Sequence, residues 1–222
     1  MTNFERLKEI CREACHERHA CQPGFEALMR TKNVGEILSV WKDNWQDIYE
    51  SKYADIIVEK IADVYADMKA EFNANDVFVN EPSSRGIVIV CKPSDTITVF
   101  GTAKAYIFGS GKVAASDNAE VYCRDEEGYV ILTGHSQGFF KAGVAWVNDF
   151  AKAQGVFSGT CFGAAYIILQ GGFILDHGHR EISAFGDAVV YSDIRKRTEL
   201  FGNAQLLPAS AYMELQEKED KQ

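Results

Sequence analysis

An eight-residue phrase recurs from Phe100 onward: FGTAKAYI (100–107), FGSGKVAA (108–115), SDNAEVYC (116–123), RDEEGYVI (124–131) and LTGHSQGF (132–139). The second position is Gly, Gly, Asp, Asp and Thr, so a turn residue returns in nearly every unit. A short strand follows, whose sixth and eighth positions are mostly small or apolar. The phrase returns as Phe185-Gly186-Asp187-Ala188 and Phe201-Gly202-Asn203-Ala204, sixteen residues apart. Phe162-Gly163-Ala164-Ala165 is a looser copy, slightly out of phase, which places an insertion or deletion between residues 140 and 185.

Eight residues suit one strand and one tight turn, and a single such unit cannot bury its own apolar face. Two units completing a flattened coil place residues sixteen apart in direct register, about 4.8 Å from each other, and each coil covers the last. Gly, Asp and Asn supply corners where positive φ is cheap, and the alanines let corners pack closely. The expectation is a β-solenoid over residues 76–211. Its last coil needs a cap, for which a helical region at one end and the charged tail 212–222 at the other are the candidates.

The first 75 residues have a different period. Phe4, Leu7, Ile10, Cys11, Ala14 and Cys15 recur at helical steps, as do Ile48, Tyr49, Ile56, Ile57, Ile61, Val64, Tyr65 and Met68. Pro23-Gly24 breaks the first helix, and Asn33 caps the next with Glu36 in the capping-box position. Trp41 and Trp45 share a face at i, i+4 spacing, in the core of a small bundle or in a partner-binding groove. The fold class is therefore α+β: an N-terminal helical bundle, 1–75, followed by a β-solenoid.

The octads after a short helical region, with ACQPGFEALMRTKNVGEIL (20–38) and DVFVNEP (76–82) before them, resemble a loose group of uncharacterised proteins of gut bacteria and their prophages. Those proteins similarly join a helical region to degenerate octapeptide β repeats. The resemblance covers most of the chain, implies the same fold and a phage context, and transfers no catalytic residues.

Four constellations carry possible chemistry. Gly134-His135-Ser136-Gln137-Gly138 matches the GxSxG nucleophile elbow, with Tyr129–Leu132 as the preceding strand, Lys141–Ala153 as the following helix, and His177 and His179 with Asp176 as base and orienting acid. Against a serine hydrolase, the motif falls in register with four preceding octads, which makes its glycines turn glycines. Cys11, Cys15 and His19 would line one helix face beside His16 and Cys21, a conceivable zinc set, although no second ligand pair exists. Asp176-His177-Gly178-His179 reads as a metal pair or as a solvated turn. Gly109-Ser110-Gly111-Lys112 lacks the full phosphate-loop pattern.

The formal net charge of −9 argues against direct nucleic-acid binding, which depends on clustered Lys and Arg. The first 21 residues lack the apolar stretch of a secretory signal, and the six scattered cysteines suit reduced thiols, so the expected location is cytoplasmic. Val156–Leu175 carries no charge and is just long enough to span a bilayer, but its glycines with Ser158, Thr160 and Gln170 read better as buried strands. No cofactor is expected.

The functional expectation is a non-enzymatic protein whose bundle and solenoid engage a protein partner. A phage or prophage factor inhibiting a host defence protein, such as a nucleic-acid-guided nuclease, would use its acidity to occupy a basic groove, as anti-CRISPR proteins do. The alternatives are a structural virion or fibre component that assembles as a homo-oligomer, and a hydrolase using Ser136.

Overall fold

The computed structural model describes the chain apart from residues 19–21, 52, 92–94, 180, 195–196 and 220–222, and describes no side chain at 16–18, 22, 63, 218 or 219. Helices α1 (Asn3–Arg18), α2 (Gln22–Arg30), α3 (Val34–Glu50) and α4 (Tyr53–Ala74) come first. Pro23 sits in the first turn of α2, where its missing N–H costs nothing. Asn33 caps α3: its Oδ1 accepts from the Glu36 amide at 2.9 Å, and Glu36 returns a bond to the Lys32 amide at 2.7 Å.

The strands are β1 (Val77–Val79), β2 (Ile87–Cys91), β3 (Ile97–Val99), β4 (Lys104–Phe108), β5 (Lys112–Ala115), β6 (Glu120–Cys123), β7 (Tyr129–Leu132), β8 (Gln137–Phe140), β9 (Val144–Val147), β10 (Lys152–Cys161), β11 (Tyr166–Asp176), β12 (Glu181–Ala184), β13 (Val189–Tyr191), β14 (Thr198–Leu200) and β15 (Gln205–Leu207). They wind into a parallel β-solenoid of about seven turns. Face A stacks β1, β2, β4, β6 and β8, continues through the first half of β10 and of β11, and ends on β12 and β14. Face B stacks β3, β5, β7 and β9, continues through the second half of β10 and of β11, and ends on β13 and β15.

The register explains the octads. Lys104 lies beside Glu120, and Ile97 beside Val113, so two units make a coil. The first five turns from face B to face A each carry one residue in the left-handed region: Gly101, Asp117, Gly134, Asp149 and Gly163, at φ 54° to 68°. Two residues on comes a fully buried one: Ala103, Ala119, Ser136, Ala151 and Ala165. The FG phrases at 185 and 201, by contrast, occupy the opposite corner, from face A to face B.

The phase shift has a structural cause. β10 and β11 run straight through the A-to-B corner, with a bulge at Gly155/Val156, and Lys152 pairs with Tyr166 only fourteen residues on. The separate turn of the preceding coils is replaced there by a bend at Gly155 (φ 123°) and, one coil later, at Gly172 (φ 83°). A Cβ at Gly155 would stand 1.8 Å from the Phe140 carbonyl oxygen, so only glycine fits. Val156–Leu175 thus belongs to two strands, and no helix among the described residues is long and apolar enough to cross a membrane. Lys141–Ala153, read above as a helix after the elbow, is instead β9 and the start of β10, because its side chains alternate in the period of two.

The bundle lies against the outward side chains of face A over its first coils: Val77, Val79, Ile87, Ile89, Tyr106 and Phe108 share one core with Trp45, Tyr49, Ile61 and Phe72. Helix α5 (Ala209–Glu219) does not close the last coil as its sequence position suggested. Tyr212 packs on Phe173 and Tyr191, at 5.4 and 5.3 Å between ring centroids, which puts α5 along face B.

Candidate functional site

The bundle covers only part of face A, and its edge leaves a notch of about 450 Å³. One wall is the last turn of α3, with Gln46, Tyr49 and Glu50. The floor is sheet: Tyr122, Phe139, Gln154 and Ile168 stand in consecutive rungs of one outward column. Lys141 and Gln170 line the side.

The wall is anchored by two residues. The Tyr49 hydroxyl lies 3.0 Å from the carbonyl oxygens of Ile107 and Tyr122, to which it donates, and burial raises its pKa. Arg124, in the turn after β6, donates to the Tyr49 and Ser51 carbonyls and to Asp55, and its guanidinium lies over the Tyr49 and Phe108 rings at 5.0 and 4.9 Å. These contacts fix α3 and the start of α4 on the solenoid.

The floor arises where an aromatic ladder ends. Tyr106, Tyr122 and Phe139 stack face to face at 4.8 Å steps, nearly coplanar at 7° and 14°. The next rungs carry Gln154 and Ile168, whose smaller side chains leave the notch open. Along its rim Glu50 faces Lys141 at 3.5 Å, and the Gln46 amide and the Lys141 charge together lower the Glu50 carboxyl below its ordinary range. Polar groups able to bond a partner therefore surround a half-apolar floor of binding-site size.

No family model, curated protein or solved structure matches the chain.

The residues singled out in the sequence lie elsewhere. Ser136 is fully buried in the corner that other coils fill with alanine. Its hydroxyl donates to the Thr133 carbonyl at 2.8 Å and accepts from the Thr133 amide at 3.1 Å. Gly134 is the left-handed turn residue. Gly138 makes room in the core, since a Cβ there would meet the Phe140 ring at 2.5 Å. Asp176 stands three rungs beyond Leu132, in line with Val147 and Cys161, so about 14 Å of stack separates the coil of Ser136 from the coil of Asp176 and His177. His177 is exposed and stacks on Phe162 at 5.0 Å, which leaves it no part in an acid–base pair with Asp176.

The acid does find an imidazole, but it is His179. Asp176 points into the core and collects the Cys161 thiol (3.2 Å), the Gly178 amide (2.9 Å), His179 Nδ1 (2.8 Å) and the Ser192 hydroxyl. His179 Nε2 lies 3.3 Å from the Thr198 hydroxyl. Both the Asp176 and the His179 side chains are closed to solvent, so no substrate reaches them, and burial together with Asp176 raises the Cys161 thiol pKa. The cluster satisfies a buried carboxylate at the end of the core.

Trp41 and Trp45 are buried, 2% and 1% exposed, with ring centroids 5.4 Å apart, and Trp45 packs edge-on against Tyr106 of the solenoid. They are core residues. Cys11 is buried beside the Trp41 indole, and burial raises its thiol pKa. Cys15 lines, with Cys11 and Trp41, a partly open apolar pocket of about 140 Å³ in the bundle. His19 and Cys21 lie outside the described residues. Among the described residues no three His, Cys, Asp or Glu side chains converge as a metal site, and no disulfide joins two described cysteines.

The notch escaped sequence reasoning because it is made by two distant segments. A signal did exist: in the octad column Tyr106, Tyr122, Phe139, the aromatic run stops at Gln154.

Proposed function

We propose that the protein is a non-enzymatic binding protein that engages a protein partner through the notch between α3 and face A. The observation that carries this reading is the convergence of Gln46, Glu50, Lys141, Gln154 and Gln170 around an open floor of Phe139 and Ile168. The serine of the GHSQG motif, Ser136, is sealed in a corner. The net charge of −9 favours a partner with a basic surface, and the resemblance to prophage proteins favours a host defence protein, such as a nucleic-acid-guided nuclease, inhibited as anti-CRISPR proteins inhibit theirs.

The test is affinity capture from lysate of the natural host with the wild-type chain and with Gln154→Phe, followed by titration of the recovered partner at rising salt. The expected result is one stoichiometric protein, lost with Gln154→Phe, whose binding weakens as salt rises. Equal recovery by both chains, or no recovery, would sink the reading. The open last coil favours a second reading, a self-assembling structural part.

A further inference from the structure

The aromatic ladder of face A is left one ring short. Tyr106, Tyr122 and Phe139 stack on successive rungs, their centroids 4.8 Å apart and their planes tilted by 7° and 14°, because parallel strands in register repeat at that spacing. Tyr106 is buried beneath the bundle, where Trp45 and Tyr49 meet it edge-on. Phe139 is half-buried: Tyr122 covers one side of its ring, and the side toward Gln154 looks into the notch. Among the described residues no other ring stacks on Phe139. The place of a fourth ring is open, bounded by Tyr49 in the wall and by Ile168 one rung beyond Gln154.

On the proposed reading of the notch as a protein interface, we infer that it takes a planar aromatic side chain with a polar edge, tyrosine or tryptophan, from the partner, and that this ring completes the ladder as its fourth rung. The polar groups select the ring. Glu50 and Lys141 face each other at 3.5 Å, and Glu50 also accepts from the Gln46 amide at 2.8 Å, so the charges of the rim neutralise each other. The side-chain amides of Gln154 and Gln170 have no partner among the described residues, and each brings two donors and an acceptor to the notch. An indole N–H or a phenol hydroxyl bonds such an amide, whereas a phenylalanine ring leaves it unanswered. An arginine guanidinium is also planar, but it would have to break the Glu50–Lys141 pair or enter beside Lys141 with its charge uncompensated. The seat is set before binding: the Tyr49 hydroxyl is tied to the Ile107 and Tyr122 carbonyls and its own carbonyl to Arg124, and Phe139 rests on Tyr122, so little ordering offsets the gain. Tyrosine and tryptophan are also the side chains that most often carry the energy of an interface.

Titration of the isotope-labelled full chain, followed by amide chemical shifts, tests this with N-acetyl-tyrosinamide, N-acetyl-tryptophanamide, N-acetyl-cyclohexylalaninamide and N-acetyl-argininamide as probes. The tyrosine and tryptophan probes should move the Gln154 and Gln170 side-chain signals and the Phe139 and Ile168 amides together, with dissociation constants on the order of 1 mM. They should bind about threefold or more tighter than the cyclohexyl and arginine probes. Gln154→Phe, whose own ring takes the fourth place, should abolish these shifts. Phe139→Leu keeps the floor apolar but removes its stacking face, and should weaken both aromatic probes about threefold or more. Circular dichroism checks that each variant is folded. No shift at the notch up to about 20 mM, equal binding of the cyclohexyl probe, tighter binding of the arginine probe, or unchanged binding in folded Gln154→Phe would each overturn the inference. The probes need no partner, so the two claims fail separately. A captured partner lost with Gln154→Phe beside indifferent probes removes the ring and keeps the interface, and bound probes with no captured partner keep the ring site and remove the interface.

Discussion

The Arg124 guanidinium lies over the Tyr49 ring, 5.0 Å from its centroid, and donates to the carbonyl of the same residue, so one solenoid side chain holds both the ring and the backbone of a residue at the helix end that walls the notch. Only 16% of that side chain is exposed. Replacement of Arg124 by Leu should therefore remove two carbonyl contacts, an ion pair and two ring contacts together. The expected loss is on the order of 2–3 kcal/mol, read from the denaturant midpoint, since hydrogen bonds from charged groups and cation–π contacts are individually of that scale or less. Amide exchange should rise first in the last turn of α3.

Ser136→Ala tests whether the GHSQG serine is a corner residue. Alanine already fills the equivalent corner in the coils on both sides, at Ala119 and Ala151. The Thr133 amide that bonds Ser136 also bonds the Ala115 carbonyl at 2.9 Å, so no donor is orphaned. The thermal midpoint should correspond to a change of less than about 1 kcal/mol. Ser136→Leu should cost more, roughly 1–3 kcal/mol, by overpacking the corner. A fluorophosphonate probe should label neither variant nor the wild type.

Asp176→Ala should be the most damaging of the single substitutions in the last coils. It strips the acceptor from Cys161, Gly178, His179 and Ser192 at once, within a closed core. Breaking one member of a buried charged network costs roughly 3–5 kcal/mol. Chemical denaturation of this variant against Ser192→Ala, which removes one donor and leaves the carboxylate otherwise held, should show the larger loss for Asp176→Ala.

Stability should fall on the alkaline side. Burial pushes the Cys123 thiol up to about 12 and the Tyr65 hydroxyl up to about 12, and it also raises Tyr106 and Tyr122. The folded chain thus keeps protons that the unfolded chain releases from about pH 9 upward, so this stabilisation is full below pH 9 and is lost as pH rises toward 12. On the acid side, burial raises Glu120, but its bonds from Tyr122 and Lys104 outweigh this and hold it below its ordinary value. That contribution is present above the ordinary carboxylate range and is lost as pH falls below it. Urea midpoints should be flat near neutrality and decline at both ends.

The solenoid was legible because its signal is local and repeated. Gly101, Asp117 and Gly134 each mark a left-handed corner, and Ala103 and Ala119 each mark its buried floor, so the coil length follows from counting. The 14-residue coil was legible only as a loss of phase: Gly155 and Gly172 replace a turn by a bend, and neither carries the phrase that marks a corner. The partnership of Asp176 was only half legible: both His177 and His179 were candidate partners, and the choice between them rests on the turn at Gly178, which swings His179 back onto the carboxylate. The notch and the open last coil were illegible because they depend on where α3 and α5 come to rest. Amphipathic stripes show that these helices have an apolar face, not which part of the sheet that face will cover.

The most direct test of the binding account is calorimetric titration of the captured partner with Gln154→Phe. Gln154 follows Phe139 in the outward column, so phenylalanine there extends the aromatic ladder by one rung and fills the notch without disturbing the core. The account predicts a thermal midpoint equal to or above that of the wild type and a loss of partner affinity of about tenfold or more, some 1.4 kcal/mol. Unchanged affinity in the folded variant would contradict it.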